Sequence, residues 1–115
     1  MNKYTELSDF EINKKVAENL KLNTIAYERT EIVLFDDMDA TPFDPCNNPS
    51  DAMTIIIENK ICMNYIDNDI GWCAYHFDEG KGELEIYDKN YYRAAMTCFL
   101  IMKDVENEKI RPYLL

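Results

Sequence analysis

His76 is the only histidine in the 115 residues, so it is the first place to look for proton-transfer chemistry. Imidazole titrates close to neutral pH and serves as the commonest general acid or base. Here it sits between Tyr75 and Phe77 in an apolar run, with no Ser, Cys or Asp placed to form a relay. Cys73 lies three residues before it, and an odd separation on a regular strand puts two side chains on opposite faces. The pattern reads as a structural histidine. The four cysteines (46, 62, 73 and 98) contain no CxxC pair, which argues against a zinc site. They read as free thiols of a reducing cytoplasm.

The next candidates are acids. Asp36, Asp37 and Asp39 have the oxygen chemistry of a cation site. A calcium loop of the EF-hand kind needs Gly at its sixth position and Glu at its twelfth. Counting from Asp37, those positions hold Pro42 and Asn48; from Asp67 they hold Trp72 and Asp78. Both fail, and the loop reads as solvated and acidic. No Gly-rich phosphate loop, nucleophile elbow or HExxH pair is present. Catalysis and a bound cofactor are therefore not expected.

The stretch FDPCNNPSD, residues 43–51, begins a helix. Asn48 suits the N-cap, Pro49 the first helical position, and Asp51 the third, where a carboxylate meets free amides and the positive dipole end. Asp44 and Asp51 would repel an incoming anion, so this terminus is not read as a phosphate site. Arg93 is anomalous, because a cation in the first turn of a helix opposes the dipole. An acid such as Asp88, a stacked Tyr91 or Tyr92, or a binding partner must compensate it.

Charge narrows the function classes. The net charge is −10, from 22 acids and 12 bases. No Lys or Arg occurs from Thr30 to Asn59, nor from Ile61 to Gly80. Direct binding to nucleic acid or to an anionic membrane is not expected of such a chain. An acidic face built from its middle is expected, suited to a basic partner. Eight tyrosines and one Trp add residues that commonly anchor protein interfaces. The candidate partner-binding residues are Asp36, Asp37, Asp39, Asp44, Arg93, Tyr91 and Tyr92.

The elements that must carry these residues follow from periodicity. One domain, residues 1–115, is expected from the length and the 47% apolar content. A capping-box spacing at Ser8 and Glu11 opens a helix over 9–21. TIAYERTEIVLF, residues 24–35, predicts one long strand, followed by a polar loop over 36–47. Ala52, Met53, Ile56 and Ile57 give the second helix its apolar face. Residues 61–77 predict a hairpin turning at Asp67–Gly71; DEGKG turns into a third strand over 83–87. Asp88 or Asn90 caps a last helix whose buried stripe is Ala95, Cys98, Phe99 and Met102. The order α-β-α-β-β-β-α predicts an α+β fold with one antiparallel sheet of about four strands, layered between helices. The first residues lack an apolar core of signal-peptide length, and no run approaches a membrane span.

Asn48-Pro49-Ser50-Asp51 entering a helix, Trp72-Cys73-Ala74 in a strand, and Arg93-Ala94-Ala95-Met96 in the last helix resemble the NinX-like proteins of lambdoid phages and the related phage ABA-sandwich domain. The resemblance covers residues 6 to 103. Two positions depart from that pattern, reading Met53 instead of Trp and Tyr91-Tyr92 instead of Pro-Leu. The resemblance implies a phage or prophage origin and an α/β/α layered fold, and carries no activity. The expected role is that of an accessory protein that binds a host or phage protein in the bacterial cytoplasm. The alternative is an acidic nucleic-acid mimic that blocks a host DNA-binding or defence protein.

Overall fold

The computed structural model describes residues 2–78 and 82–110. Helix α1 spans Asp9–Asn19. Its capping box forms in full: Ser8 Oγ accepts from the Glu11 amide at 3.2 Å, and Glu11 Oε1 accepts from the Ser8 amide at 3.3 Å. One face buries Phe10, Ile12, Asn13, Val16 and Ala17. Helix α2 spans Pro49–Glu58 and is capped by Asn48, whose side chain accepts from the Ser50 amide at 3.0 Å. Asp51 Oδ2 reaches back to the Asp44 amide at 2.9 Å. The buried face of α2 is Ala52, Ile55 and Ile56, while Ile57, expected inside, is 67% exposed.

The expected long strand over 24–35 is instead a hairpin. Strands β1 (Thr24–Tyr27) and β2 (Ile32–Phe35) pair antiparallel, from Thr24 opposite Phe35 to Tyr27 opposite Ile32. The turn between them, Glu28–Glu31, has no Gly or Asn to announce it. It closes because Glu31 takes a left-handed conformation, φ 57°, and its amide donates to the Tyr27 carbonyl at 2.8 Å. After the acidic loop the chain returns beside β2, where the Phe43 amide donates to the Val33 carbonyl at 2.8 Å.

Strands β3 (Cys62–Asp67), β4 (Gly71–Asp78) and β5 (Gly82–Asp88) form a separate antiparallel sheet in the order β3-β4-β5. The turn before β4 falls where expected, and Gly71 has φ 92° there. A Cβ at that position would stand 2.6 Å from Lys89 Cα, so only glycine fits. Most of the DEGKG turn lies outside the described residues.

Helix α3, Tyr91–Ile110, organises the rest. Of the two capping candidates Asn90 takes the role, its Oδ1 accepting from the amides of Tyr92 (2.9 Å) and Arg93 (3.1 Å). Every residue from Ala94 to Leu100 is buried, including Thr97. A helix shows that pattern when it is covered on all sides. β4 and β5 pack on it from one direction, α1 and α2 from the other. The expected stripe of Ala95, Cys98, Phe99 and Met102 is therefore too narrow.

These findings correct the layered expectation. The order is α-β-β-α-β-β-β-α, with sheets of two and three strands in place of one sheet of four. The middle layer is a helix. The outward face of the larger sheet carries exposed Cys62, Asn64, Phe77, Glu85 and Tyr87. No helix among the described residues is long and apolar enough to cross a membrane.

Candidate functional site

The residues with the strongest chemistry in the sequence are held apart. His76 pairs across to Leu84, and Cys73 to Tyr87, which puts the two on opposite faces of β4. His76 Nδ1 is buried with no hydrogen-bond partner among the described residues. Cys46, Cys73 and Cys98 are buried and only Cys62 is exposed. Burial pushes the Cys98 thiol up to about 12 and raises that of Cys46 further. Both stay protonated near neutral pH, which makes them poor nucleophiles. Among the described residues no group of three or more His, Cys, Asp or Glu side chains is placed to hold a metal ion.

Arg93 does find internal compensation. Its Nη1 donates to Asp9 Oδ1 at 2.7 Å, and Nε lies 3.2 Å from Asp88 Oδ2. Nη2 donates to the backbone carbonyls of Leu7 (2.6 Å) and Tyr4 (3.3 Å). The guanidinium thus clamps the start of α1 to the start of α3 with all three of its nitrogens. A lysine has no such fork.

A second set of polar contacts continues from this clamp. Asn13 Nδ2 donates to Asp44 Oδ1 at 2.7 Å, and its Oδ1 accepts from the Cys46 amide at 3.1 Å. Asn47 Nδ2 donates to Asp9 Oδ2 at 3.2 Å and to Asp44 Oδ1 at 3.1 Å. Asn90 Nδ2 donates to the Cys46 carbonyl at 3.0 Å. The stretch 43–51 is therefore the hub where α1, α2 and α3 are tied. Asp9, Asn13 and Asn47 were not among the sequence candidates. Asn13 carried a readable signal, since it falls on the apolar face between Phe10 and Val16, where an unsatisfied amide is costly.

The remaining candidates separate. Asp36, Asp37 and Asp39 are exposed on the loop after β2. Asp37 Oδ1 accepts from the Asp39 and Ala40 amides, at 3.0 and 2.8 Å, and shapes that loop. Tyr91 and Tyr92 are half-buried and continue a row of edge-to-face rings, Tyr65–Trp72–Tyr91–Tyr92, with centroids 5.3, 4.9 and 5.0 Å apart. Only its outer member, Tyr65, is open to solvent, at 53%.

Beside the polar hub lies a cleft of about 240 Å³ between α1, the β1–β2 turn and the segment 42–47. Phe10, Ile32, Val33, Pro42 and Phe43 give it apolar walls. Asp9, Glu31 and Asp44 line it with carboxylates, and among the described residues no Lys or Arg lines it. A neighbouring groove of about 300 Å³ shares Phe10 and Glu31 and adds Glu11, Glu18, Glu28, Lys14 and Lys15. There Lys14 Nζ meets Glu28 Oε1 at 2.8 Å.

Fold and site together define a small α+β domain whose charged side chains tie helices together and leave an acidic cleft open beside them. The chain belongs to the family described as bacteriophage P22 NinX, which matches residues 3–103. Membership gives it a phage origin. Neither the curated proteins nor the solved structures contain a match to it.

Proposed function

We propose that the protein is a phage accessory factor that acts by binding another protein, of the host or of the phage, and performs no reaction itself. The observation that carries this reading is where the base-free middle of the chain places its acids. Glu31, Asp36, Asp37, Asp39, Glu58, Asp67 and Asp69 are all exposed. A surface so biased steers basic partners and repels phosphate backbones. Tagged protein incubated with nuclease-treated host and infected-cell lysates should retain a specific partner, identified by mass spectrometry. Turnover of a nucleotide or other metabolite by the purified protein alone would sink this reading.

The nucleic-acid mimic is a second reading, favoured by the exposed Asp36, Asp37 and Asp39 on one loop. It requires that duplex DNA compete for the partner, and that charge reversal at the three aspartates abolish binding. A partner held equally well at high salt argues for the plain binding module and removes the mimic.

A further inference from the structure

The cleft between α1 and the β1–β2 turn has the chemistry of a receptor for one long basic side chain. We propose that it binds a lysine or arginine side chain of the partner protein, which rests on the reading that the protein acts by binding. The cation would sit among Asp9, Glu31 and Asp44, and the alkyl stem would lie along Phe10, Ile32, Val33 and Pro42. Lysine and arginine routinely bury their methylene stems on apolar surface while the charged head finds a polar site.

Three observations select this occupant over others. The first is size: about 240 Å³ falls below the roughly 300–1,000 Å³ of small-molecule sites, so the cleft suits a side chain. The second is charge, because three carboxylates line it and, among the described residues, no base does. Of the three, only Asp9 meets Arg93, and that guanidinium is shared with Asp88, which does not line the cleft. Asp44 is held by the uncharged amides of Asn13 and Asn47, and the Glu31 carboxylate accepts no hydrogen bond among the described residues, its backbone amide alone being engaged, with Tyr27. The third is dispersion: these acids form no group able to hold a metal ion. An elongated organic cation can reach acids that a single ion cannot bridge. A second copy of this chain is a poor occupant, since both carry the same −10 charge.

The test is a two-dimensional amide NMR titration of the whole protein with N-acetyl-lysine methylamide and N-acetyl-arginine methylamide. N-acetyl-norleucine methylamide, which has a similar stem and no charge, is the control. The charged probes should give saturable shifts clustered on Phe10, Asn13, Ile32 and Val33, with dissociation constants on the order of millimolar. Added salt should weaken them, and norleucine should not reproduce them. Glu31 is exposed and outside the polar hub, so its variants should fold. Glu31→Gln should weaken probe binding about threefold, and Glu31→Lys about tenfold or more. The proposal is overturned by an absence of saturable shifts up to about 50 mM probe, by equal shifts from norleucine, or by indifference to Glu31→Lys. A captured partner whose binding ignores Glu31→Lys overturns the cleft and leaves the binding function standing. Probe binding that Glu31→Lys abolishes, with no partner retained from either lysate, supports the cleft and removes the binding function.

Discussion

Helix α3 is tied into the protein in two ways within ten residues. Its first turn, with Arg93 and the cap Asn90, is fixed by charge and directional hydrogen bonds to Asp9, Asp88, Leu7, Tyr4 and Cys46. Its middle, Ala94 to Leu100, is fixed by burial on every side. The apolar tie tolerates small changes of shape, because dispersion and desolvation have little angular preference. The polar tie specifies geometry: Arg93 satisfies two acids and two carbonyls only if α1 and α3 stand in one relative position. Breaking a partly buried ion pair costs more than forming it gains, since the groups left behind stay desolvated. The contrast assigns stability mainly to the middle of α3 and orientation mainly to its start.

Substitutions can test that division. Phe99→Ala, at the most enclosed point of the helix, should lower unfolding free energy by about 4 kcal/mol. Arg93→Met should cost about 3 kcal/mol, at the low end of the usual range because the Asp9 side chain is 40% exposed and water screens it. Urea melts measure both losses. The two variants should differ in a second way: amide spectra of Arg93→Met should change at α1 and at residues 43–48, and those of Phe99→Ala around the core. If Arg93→Met costs nothing and moves no α1 resonance, the polar tie is not what orients the helices.

Asn90→Ala removes both the cap and the contact to the Cys46 carbonyl, and should cost about 2 kcal/mol by the same melts. The buried thiols give a pH signature. Burial raises Cys98 from 9.0 to about 12, so the folded state holds that proton more tightly than the unfolded chain does. Its contribution is fully present below pH 9 and is lost as pH rises toward 12. The loss should be on the order of 1 kcal/mol by pH 10, and Cys98→Ala should flatten that part of the pH–stability curve. The smallest effect is expected outside the core. Cys62 alone should react quickly with a thiol reagent in the native state, with no change in melting.

The sequence was informative where local chemistry decides structure. Ser8 with Glu11, and Asn48-Pro49 with Asp51, each form the helix start their residue types demand. The hairpin over 24–35 was not legible, because Glu28–Glu31 carries no turn residue and closure depends on a left-handed Glu31. The breadth of burial on α3 was equally hidden. Thr97 and Cys98 fit either a half-exposed or a covered helix, and only tertiary packing on both sides decides between them. At the candidate site the anomaly of Arg93 was visible as an unexplained cation, and Asp88 was one of its named compensators. Its other partner, Asp9, lies 84 residues away in the chain, a separation that periodicity cannot bridge. The cleft is likewise a product of three distant segments, and no single one of them looks like a site.

The position of α3 as the middle layer has a consequence for how the protein is made. It follows α1, α2 and the larger sheet in chain order, yet it is the surface on which all of them close. Until residues 94–100 leave the ribosome, Ile12, Val16, Ile55, Ile56 and Ile86 have no central layer to cover them. Until this helix emerges, the nascent chain must therefore carry those apolar faces open, within reach of chaperones. These elements should close together in one step, when the helix arrives between surfaces already waiting for it.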